Sequence, residues 1–378
     1  MVQKYYNIVS CVPKNKQYWF VQLVIFWTVK RKIKYMKIKN YFALLLVLVL
    51  GFLGCHKNNN DVIVVPERDR AEQQLVDKDS LLGYLNTHYY NASTFETPGN
   101  YKISDLVISE LPKDDNGNYL DLPDPNNNKL LIDAVEIKTT TYLDVEYEYY
   151  ILKLNQGGGD APHFTDKISV NYSGNLLDET VFDSTINPTV FDLINLVQGW
   201  RSVMVDFNTS DGYQINGDGT VQYNNYGLGA MFLPSGLAYF GSALTGVPVY
   251  SNLIFKFELY KSAPNDHDGD GIFSHLEDLN GNQNVYDDDT DGDTVPNFFD
   301  ANDDNDSLLT INELKFNTYT VDTNQGEQEP TLAENESEIS RSEDNGVITI
   351  KTVVIVDSNN DGTPDYLDPE TVIDHSSE

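Results

Sequence analysis

Apolar and polar positions change period several times along the chain, and each change predicts an element. Apolar residues run almost unbroken from Phe20 to Val29 and again from Tyr41 to Leu53. Between Glu67 and Tyr90, Leu75, Leu81, Leu82 and Leu85 recur at roughly helical spacing, which predicts a packing helix. Residues 97–128 are rich in Pro, Asp, Asn and Gly and predict loops around short strands. Residues 139–154, dense in Thr, Tyr, Val and Ile, predict a buried or half-buried strand that ends before Gly157, Gly158 and Gly159. Ile168, Val170 and Tyr172 alternate with polar residues, as do Leu253, Phe255, Phe257 and Leu259, and both runs predict strands. Between them Leu193, Leu196, Val197 and Trp200 have the spacing of one short helix over 191–200. An antiparallel sheet wrapped on a short helix follows, its concave aromatic face forming an apolar pocket. Residues 348–356 are β-prone with no partner evident, and 314–346, dense in Glu, Ser, Asn and Thr, predict a disordered insertion.

Charge changes this picture. The 378 residues carry 58 acidic and 25 basic side chains, a net charge of −33, which excludes a nucleic-acid-binding surface. With 40% hydrophobic and 12% aromatic residues the chain holds enough apolar material for a core. The excess is local: residues 262–378 hold 30 acids and 3 bases, whereas residues 1–40 hold 9 bases and no acid.

The cysteines are Cys11 and Cys55. Cys55 follows a basic start at Met36, an apolar stretch too short to span a bilayer comfortably, and the small residue Gly54, which is the layout of a secretory signal. A cysteine directly after the small residue, followed by polar residues 56–60, resembles a bacterial lipoprotein signal, although Phe52 departs from the usual leucine. The resemblance implies that 36–54 are removed and Cys55 carries the lipid in the cell envelope; an uncleaved anchor or a buried free cysteine is the alternative. Residues 1–35 then read as a spurious extension, or as one arm of a membrane hairpin. Residues 55–145 form a tether and a helical and β pre-domain.

Four blocks between residues 146 and 261 carry a further resemblance. They are Val170–Ser184, with Gly174, Phe182 and Asp183; Val197–Trp200; Leu233–Gly241, with Tyr239; and Val247–Leu259, with Phe255. In this order they resemble the motifs of FKBP-type peptidyl-prolyl isomerases. The resemblance implies an α+β fold, an FKBP-like antiparallel sheet wrapped on a short helix, with a proline pocket lined by Tyr172, Phe182, Val197, Trp200, Val247 and Phe255. It further implies that Trp200 is the pocket floor, that Tyr239 bonds a bound carbonyl, and that Leu196 contacts ligand through its backbone. Asp183 falls on the pocket aspartate, which either meets the substrate carbonyl or orients its neighbours. The implied reaction, rotation of X-Pro bonds in protein clients, needs no cofactor. The sequence departs from the pattern in an Asn, Gly, Asp and Tyr-rich insertion at 206–225, in Gly227 and Gly229 where a charged strand is usual, in a short loop after Asp183, and in Phe240 inserted after Tyr239. A non-catalytic peptide-binding or adhesive surface lipoprotein is the alternative function.

The tail repeats a twelve-residue calcium-loop spacing, with oxygen ligands at positions 1, 3, 5, 9 and 12 and a backbone carbonyl at 7. Asp266, Asp268, Asp270, Ile272, Ser274 and Glu277 fit it, with Gly271 at the sharp turn. So do Asp289, Asp291, Asp293, Val295, Asn297 and Asp300; Asn302, Asp304, Asp306, Leu308 and Glu313; and Asp357, Asn359, Asp361, Thr363, Asp365 and Asp368. A weaker copy spans 280–291. Pro296 and Pro364 argue against flanking helices. The loops are therefore similar to thrombospondin type 3 repeats, an irregular calcium-loop tail with almost no apolar core; a solvated acidic tail without ions is the alternative.

Overall fold

A computed structural model describes residues 67–376; the signal segment, Cys11 and Cys55 lie outside the described residues. Helix α1 (Arg70–Thr87) starts where the extended Asp69 accepts the Glu72 amide on its side chain, an N-cap. Its buried face holds Gln73, Gln74, Asp77, Leu81, Tyr84 and Leu85. Leu75, which the spacing placed among the packing leucines, is 66% exposed, because polar residues take the buried positions of the first two turns. Strands β1 (His88–Tyr90), β2 (Ile108–Glu110) and β3 (Lys129–Leu130) follow and pair in the order β2-β1-β3.

The main sheet is antiparallel and contains β4 (Glu136–Tyr142), β5 (Val145–Asn155), β6 (Lys167–Leu176), β7 (Val181–Ser184), β8 (Thr189–Asp192), β11 (Gly227–Leu233) and β12 (Leu253–Ala263). Its order is β4-β5-β11-β12-β6-β7, with β8 also on β6. The single strand expected over 139–154 is instead the hairpin β4–β5, turned by Leu143 and Asp144 at φ of 49° and 61°. Such a turn usually advertises itself with Gly or Asn, and here neither is present. Because β4 joins the sheet, the domain begins near residue 136 rather than 146.

Alternation assigns each face of the sheet to a different partner. Tyr147, Tyr149 and Ile151 of β5, Met231 and Leu233 of β11, and Phe255 and Phe257 of β12 enter the core with helix α2 (Gln198–Met204). Tyr150, Leu152, Ala230, Phe232 and Ile254 face the other way and pack with Leu81, Tyr84 and Leu85 of α1. The sheet is thus covered on both sides, and the pre-domain is one of its layers.

The single helix expected over 191–200 is also revised. Asp192 ends β8 and accepts the Ile194 amide to start a tight turn at Leu193–Asn195. Leu196 and Val197 are extended, and α2 begins only afterwards. The 206–225 insertion forms a hairpin of β9 (Gly212–Ile215) and β10 (Val221–Asn224), whose Tyr223 stacks on Tyr260 with centroids 4.5 Å apart.

The disordered insertion expected at 314–346 is a sheet. Strands β13 (Lys315–Asp322) and β14 (Glu336–Asp344) flank β15 (Val347–Val354), so the segment 348–356 has two partners where none was evident. Val321, Ile348 and Ile350 are buried together, whereas β14 itself is polar and mostly exposed beyond Ile339, and so reads as coil. Arg341 fixes its outer face by gripping Glu329 and Glu338, each through two hydrogen bonds. The tail also has more apolar packing than expected. Ile272, Leu314, Val353 and Tyr366 form one cluster, while Val285 and Phe298 join Phe164 and Ile194 of the sheet domain.

Candidate functional site

The aromatic residues singled out from sequence meet on the α2 face of the main sheet. Trp200, 3% exposed, is edge-on to Tyr172 at 5.8 Å and to Phe255 at 5.4 Å between ring centroids. Phe182 is edge-on to Phe255 at 5.7 Å. Val247 is buried in the same cluster, and Leu196, Val197 and Tyr239 are half-buried against it. Phe191, which the sequence did not single out, joins the cluster with T-shaped contacts to Tyr172 and Trp200. Gly174 is required at the centre: a Cβ there would lie 2.6 Å from the Phe182 ring and 2.9 Å from that of Phe255.

Asp183 lies at the rim, exposed, on β7. Its Oδ2 accepts the Tyr172 hydroxyl at 2.5 Å. Burial first, and then this hydrogen bond, push the Tyr172 phenol well above its ordinary value. Burial and the nearby Asp183 charge also raise the Tyr239 phenol, so both hydroxyls stay protonated and able to donate at neutral pH. The arrangement presents hydroxyl and carboxylate groups at the edge of an aromatic cluster. Among the groups gathered there are none with an activated nucleophile's partners.

The loop carrying Tyr239 is held from the pre-domain. Asp77 of α1, 2% exposed, accepts the Ser235 amide at 2.8 Å, the Ser235 hydroxyl at 2.6 Å and the Gln73 side-chain amide at 2.6 Å. Gly236 sits where a Cβ would be 2.2 Å from the Tyr147 ring. The inserted Phe240 adopts φ 45°, is 4% exposed, and lies under the Arg70 guanidinium at 4.0 Å. These supports come from residues far apart in sequence and had no local signal.

The tail is built from repeated loops with one shared wiring. Position 4 is left-handed in each: Gly269, Gly281, Gly292, Asn305 and Asn360. The first carboxylate caps its own loop; Asp266 accepts from Gly269 and Gly271, and Asp289 from Gly292 and Thr294. Asp278 does the same for Asn282 and Gln283, so the weaker copy runs 278–289 rather than 280–291. The amides of Ile272, Val295, Leu308 and Thr363 bond the carboxylates at position 5, Asp270, Asp293, Asp306 and Asp361.

Position 9 does something other than expected. Ser274 meets His267, Asn297 meets Thr290, Thr310 meets Asp303, and Asp365 meets Ser358, in every case bridging to position 2. Ser274, Asn297 and Asp365 therefore spend their side chains closing the loop rather than facing its centre.

The remaining carboxylates converge. Oxygens of Asp266, Asp268 and Asp270 gather, as do those of Asp289, Asp291 and Asp293, and of Asp304, Asp306 and Glu313. Asp300 lies close enough to Asp293, Asp291 and Asp289 for their charges, after burial, to raise its carboxyl. Asn302 belongs to the third loop, its amide reaching the Asp306 carbonyl at 3.4 Å, and its side-chain oxygen is buried without a partner. In the last loop the Asn359 amide donates to Asp361 and Asp368, and Asp357 caps Gly362. Asp303, not expected as a ligand, joins Asp270 and Glu277 in a fully buried group. Its signal was absent because it belongs to the neighbouring loop. The Oδ2 atoms of Asp268, Asp270, Asp304 and Asp306, and both carboxylate oxygens of Glu277 and Glu313, are buried without hydrogen-bond partners. Unpaired anionic oxygens at these positions could hold a hard cation.

Comparison with known proteins separates the two modules. Residues 267–339 match the family model described as BamM C-terminal. Over 109 residues, 28% of this chain, the sequence is 28% identical to the FKBP-type 22 kDa peptidyl-prolyl cis-trans isomerase of Escherichia coli strain K12, covering 46% of that protein. Over 126 residues, 32% of the chain, it is 31% identical to the FKBP-type peptidyl-prolyl cis-trans isomerase FkpA of Aeromonas hydrophila, covering 40% of it. The outer membrane protein MIP of Legionella longbeachae is 30% identical over 28% of the chain and 40% of its own length. The chain spans less than half the length of these relatives. The crystal structure of Escherichia coli FkpA matches at 25% identity with a TM-score of 0.27, over 35% of this chain and 52% of that one. A little under a third of the chain is thus similar in sequence to FKBP-type peptidyl-prolyl cis-trans isomerases, at modest identity.

Proposed function

We propose that the main sheet and α2 form a peptidyl-prolyl cis-trans isomerase acting on protein clients of the cell envelope, carried with a calcium-ordered tail and anchored by lipid on Cys55. The observation that carries this reading is the convergence of Tyr172, Phe182, Trp200, Val247 and Phe255 beneath Asp183 and Tyr239.

Rotation about an X-Pro bond breaks amide resonance against a barrier of about 18–20 kcal/mol. The planar amide is more polar than the twisted one, so a prolyl ring seated on Trp200, away from water, favours the twisted state. Tyr239 donates to a substrate carbonyl. Asp183 fixes the Tyr172 hydroxyl and with it the wall against which the ring turns. Asp266, Asp268, Asp270, Glu277 and Asp303 would hold calcium in the first tail loop, and Asp304, Asp306 and Glu313 in the third, and the ion would neutralise their charge. The unpaired oxygens there support this assignment. An envelope location is supported by the signal-like segment and by the similarity to the outer membrane protein MIP.

In a proline-limited refolding assay the wild type should accelerate the slow phase, and Asp183→Ala and Tyr239→Phe should each lose about tenfold or more of that acceleration. A wild type no faster than buffer would sink the enzyme reading. Peptide binding without acceleration would instead establish the binding-module alternative, which the inserted Phe240 beside Tyr239 favours. Separately, Cys55→Ser should move the protein from the membrane to the soluble fraction; unchanged partitioning would refute the lipid anchor.

A further inference from the structure

Where the tail meets the sheet domain, three side chains of a different chemical character come together. His163 and Asp166 lie in the turn leading into β6, and His275 lies at position 10 of the first tail loop. Candidate ligand atoms of the three fall within 4.8 Å of one another. The imidazoles of His163 and His275 are stacked, their centroids 3.6 Å apart and their planes 9° apart. Asp166 is 1% exposed. Its Oδ2 accepts the His163 amide at 2.9 Å, while Oδ1 is buried without a hydrogen bond, 3.5 Å from His163 Nδ1. Nδ1 of His275 is buried and unpartnered as well.

Leaving a carboxylate oxygen and an imidazole nitrogen unpaired in the interior is costly unless something fills the space between them. Two imidazoles and one carboxylate differ from the all-oxygen sets of the acidic loops. Such a set suits borderline transition metals and suits calcium poorly.

We propose that His163, Asp166 and His275 bind a zinc-class divalent ion that fastens the first tail loop to the sheet domain. The exposed His163 ring turns out of its stack on His275 so that both nitrogens face the ion beside Asp166 Oδ1. Three protein ligands leave one tetrahedral position for water. Asp166 and His275 are distant in sequence, so the ion closes a long loop and adds its binding free energy to the docked state. His275 precedes Glu277 by two residues, so fixing it also fixes the path of the chain into the carboxylate cluster.

The test uses the full chain, stripped with chelator and then saturated with calcium so that the acidic loops are occupied. Titration with zinc chloride should show one equivalent bound and a raised thermal midpoint. Cobalt chloride in its place should give the intense visible absorption of a four-coordinate site, which oxygen-ligated loops do not produce. His163→Ala and His275→Ala should each weaken zinc binding by about 100-fold and abolish the cobalt band, with calcium stoichiometry unchanged. His163 is exposed, so its variant should keep its circular dichroism and calcium binding and remain interpretable if His275→Ala does not fold. Absence of zinc binding in calcium-saturated wild type, or binding equally strong in folded His163→Ala, would overturn the proposal.

Discussion

Removing calcium at neutral pH should unfold the tail, and Glu277→Ala should disable its first loop even with calcium present. Glu277 is fully buried, both its oxygens are unpaired, and Asp270 and Asp303 adjoin it. Without a cation these charges repel in a low-dielectric site, and an uncompensated buried charge costs about 3–5 kcal/mol. The pH dependence gives a sharper result. In the metal-free fold, burial and then neighbouring carboxylates push Glu277 up to about 10 and Asp270 to about 9. Burial likewise takes Asp303 and Glu313 to about 8. In the unfolded chain carboxyls titrate near about 4. Each folded value is raised, so its stabilising contribution is complete below about pH 4 and disappears as pH rises toward 8–10. Metal-free protein should therefore gain tail stability on acidification. Calcium-loaded protein should lose it, since protons displace the ion. Unfolding midpoints measured across pH, with calcium and with chelator, should slope in opposite directions; parallel slopes would contradict the assignment of these carboxylates to a cation.

The second large effect concerns Asp77. Asp77→Ala leaves the Ser235 amide and hydroxyl and the Gln73 amide without their acceptor in a buried site, a loss of about 3 kcal/mol or more. Burial raises the Asp77 carboxyl while these donors favour its charged form, and Asp77→Asn should fall between wild type and alanine. Because Ser235 begins the turn that carries Tyr239, the folded fraction of the variant should also turn over more slowly. Denaturation midpoints and refolding kinetics on the same samples separate the two. Lost stability with intact turnover would show that the Tyr239 loop holds its shape without α1.

The clustering of the aromatic residues was legible because Tyr172, Phe255 and Gly174 lie in strands whose alternation fixes their face, and because the blocks around them follow a familiar order. The support from α1 was not. Asp77 and Arg70 act on residues more than 150 positions away, and nothing near them in sequence marks a buried carboxylate as a clamp. In the tail, spacing located the carboxylates at positions 1, 3, 5 and 12. It misassigned position 9, since a residue chemically able to bind a cation serves equally well to close the loop onto position 2. Strand β14 was misread for a related reason: its order comes from pairing with β15 and from Arg341, whereas its composition is that of coil. Leu143 and Asp144 reverse the chain without glycine, which hid a hairpin inside an apparently continuous strand.

The strand order carries a consequence for biosynthesis. β5 sits beside β11, whose residues pair with it from Leu228 opposite Asn155 to Phe232 opposite Tyr150, and β11 sits beside β12, so the middle of the sheet unites segments far apart in the chain. A ribosome or translocon delivering the chain from its amino end releases α1, β4 and β5 well before β11 and β12 arrive to pair with them. Until then Tyr147, Tyr149 and Ile151 of β5 lack the β11 and β12 side chains they pack against, and closing so long a loop is slow. The chain is therefore expected to need protection from aggregation for as long as the last strand is missing.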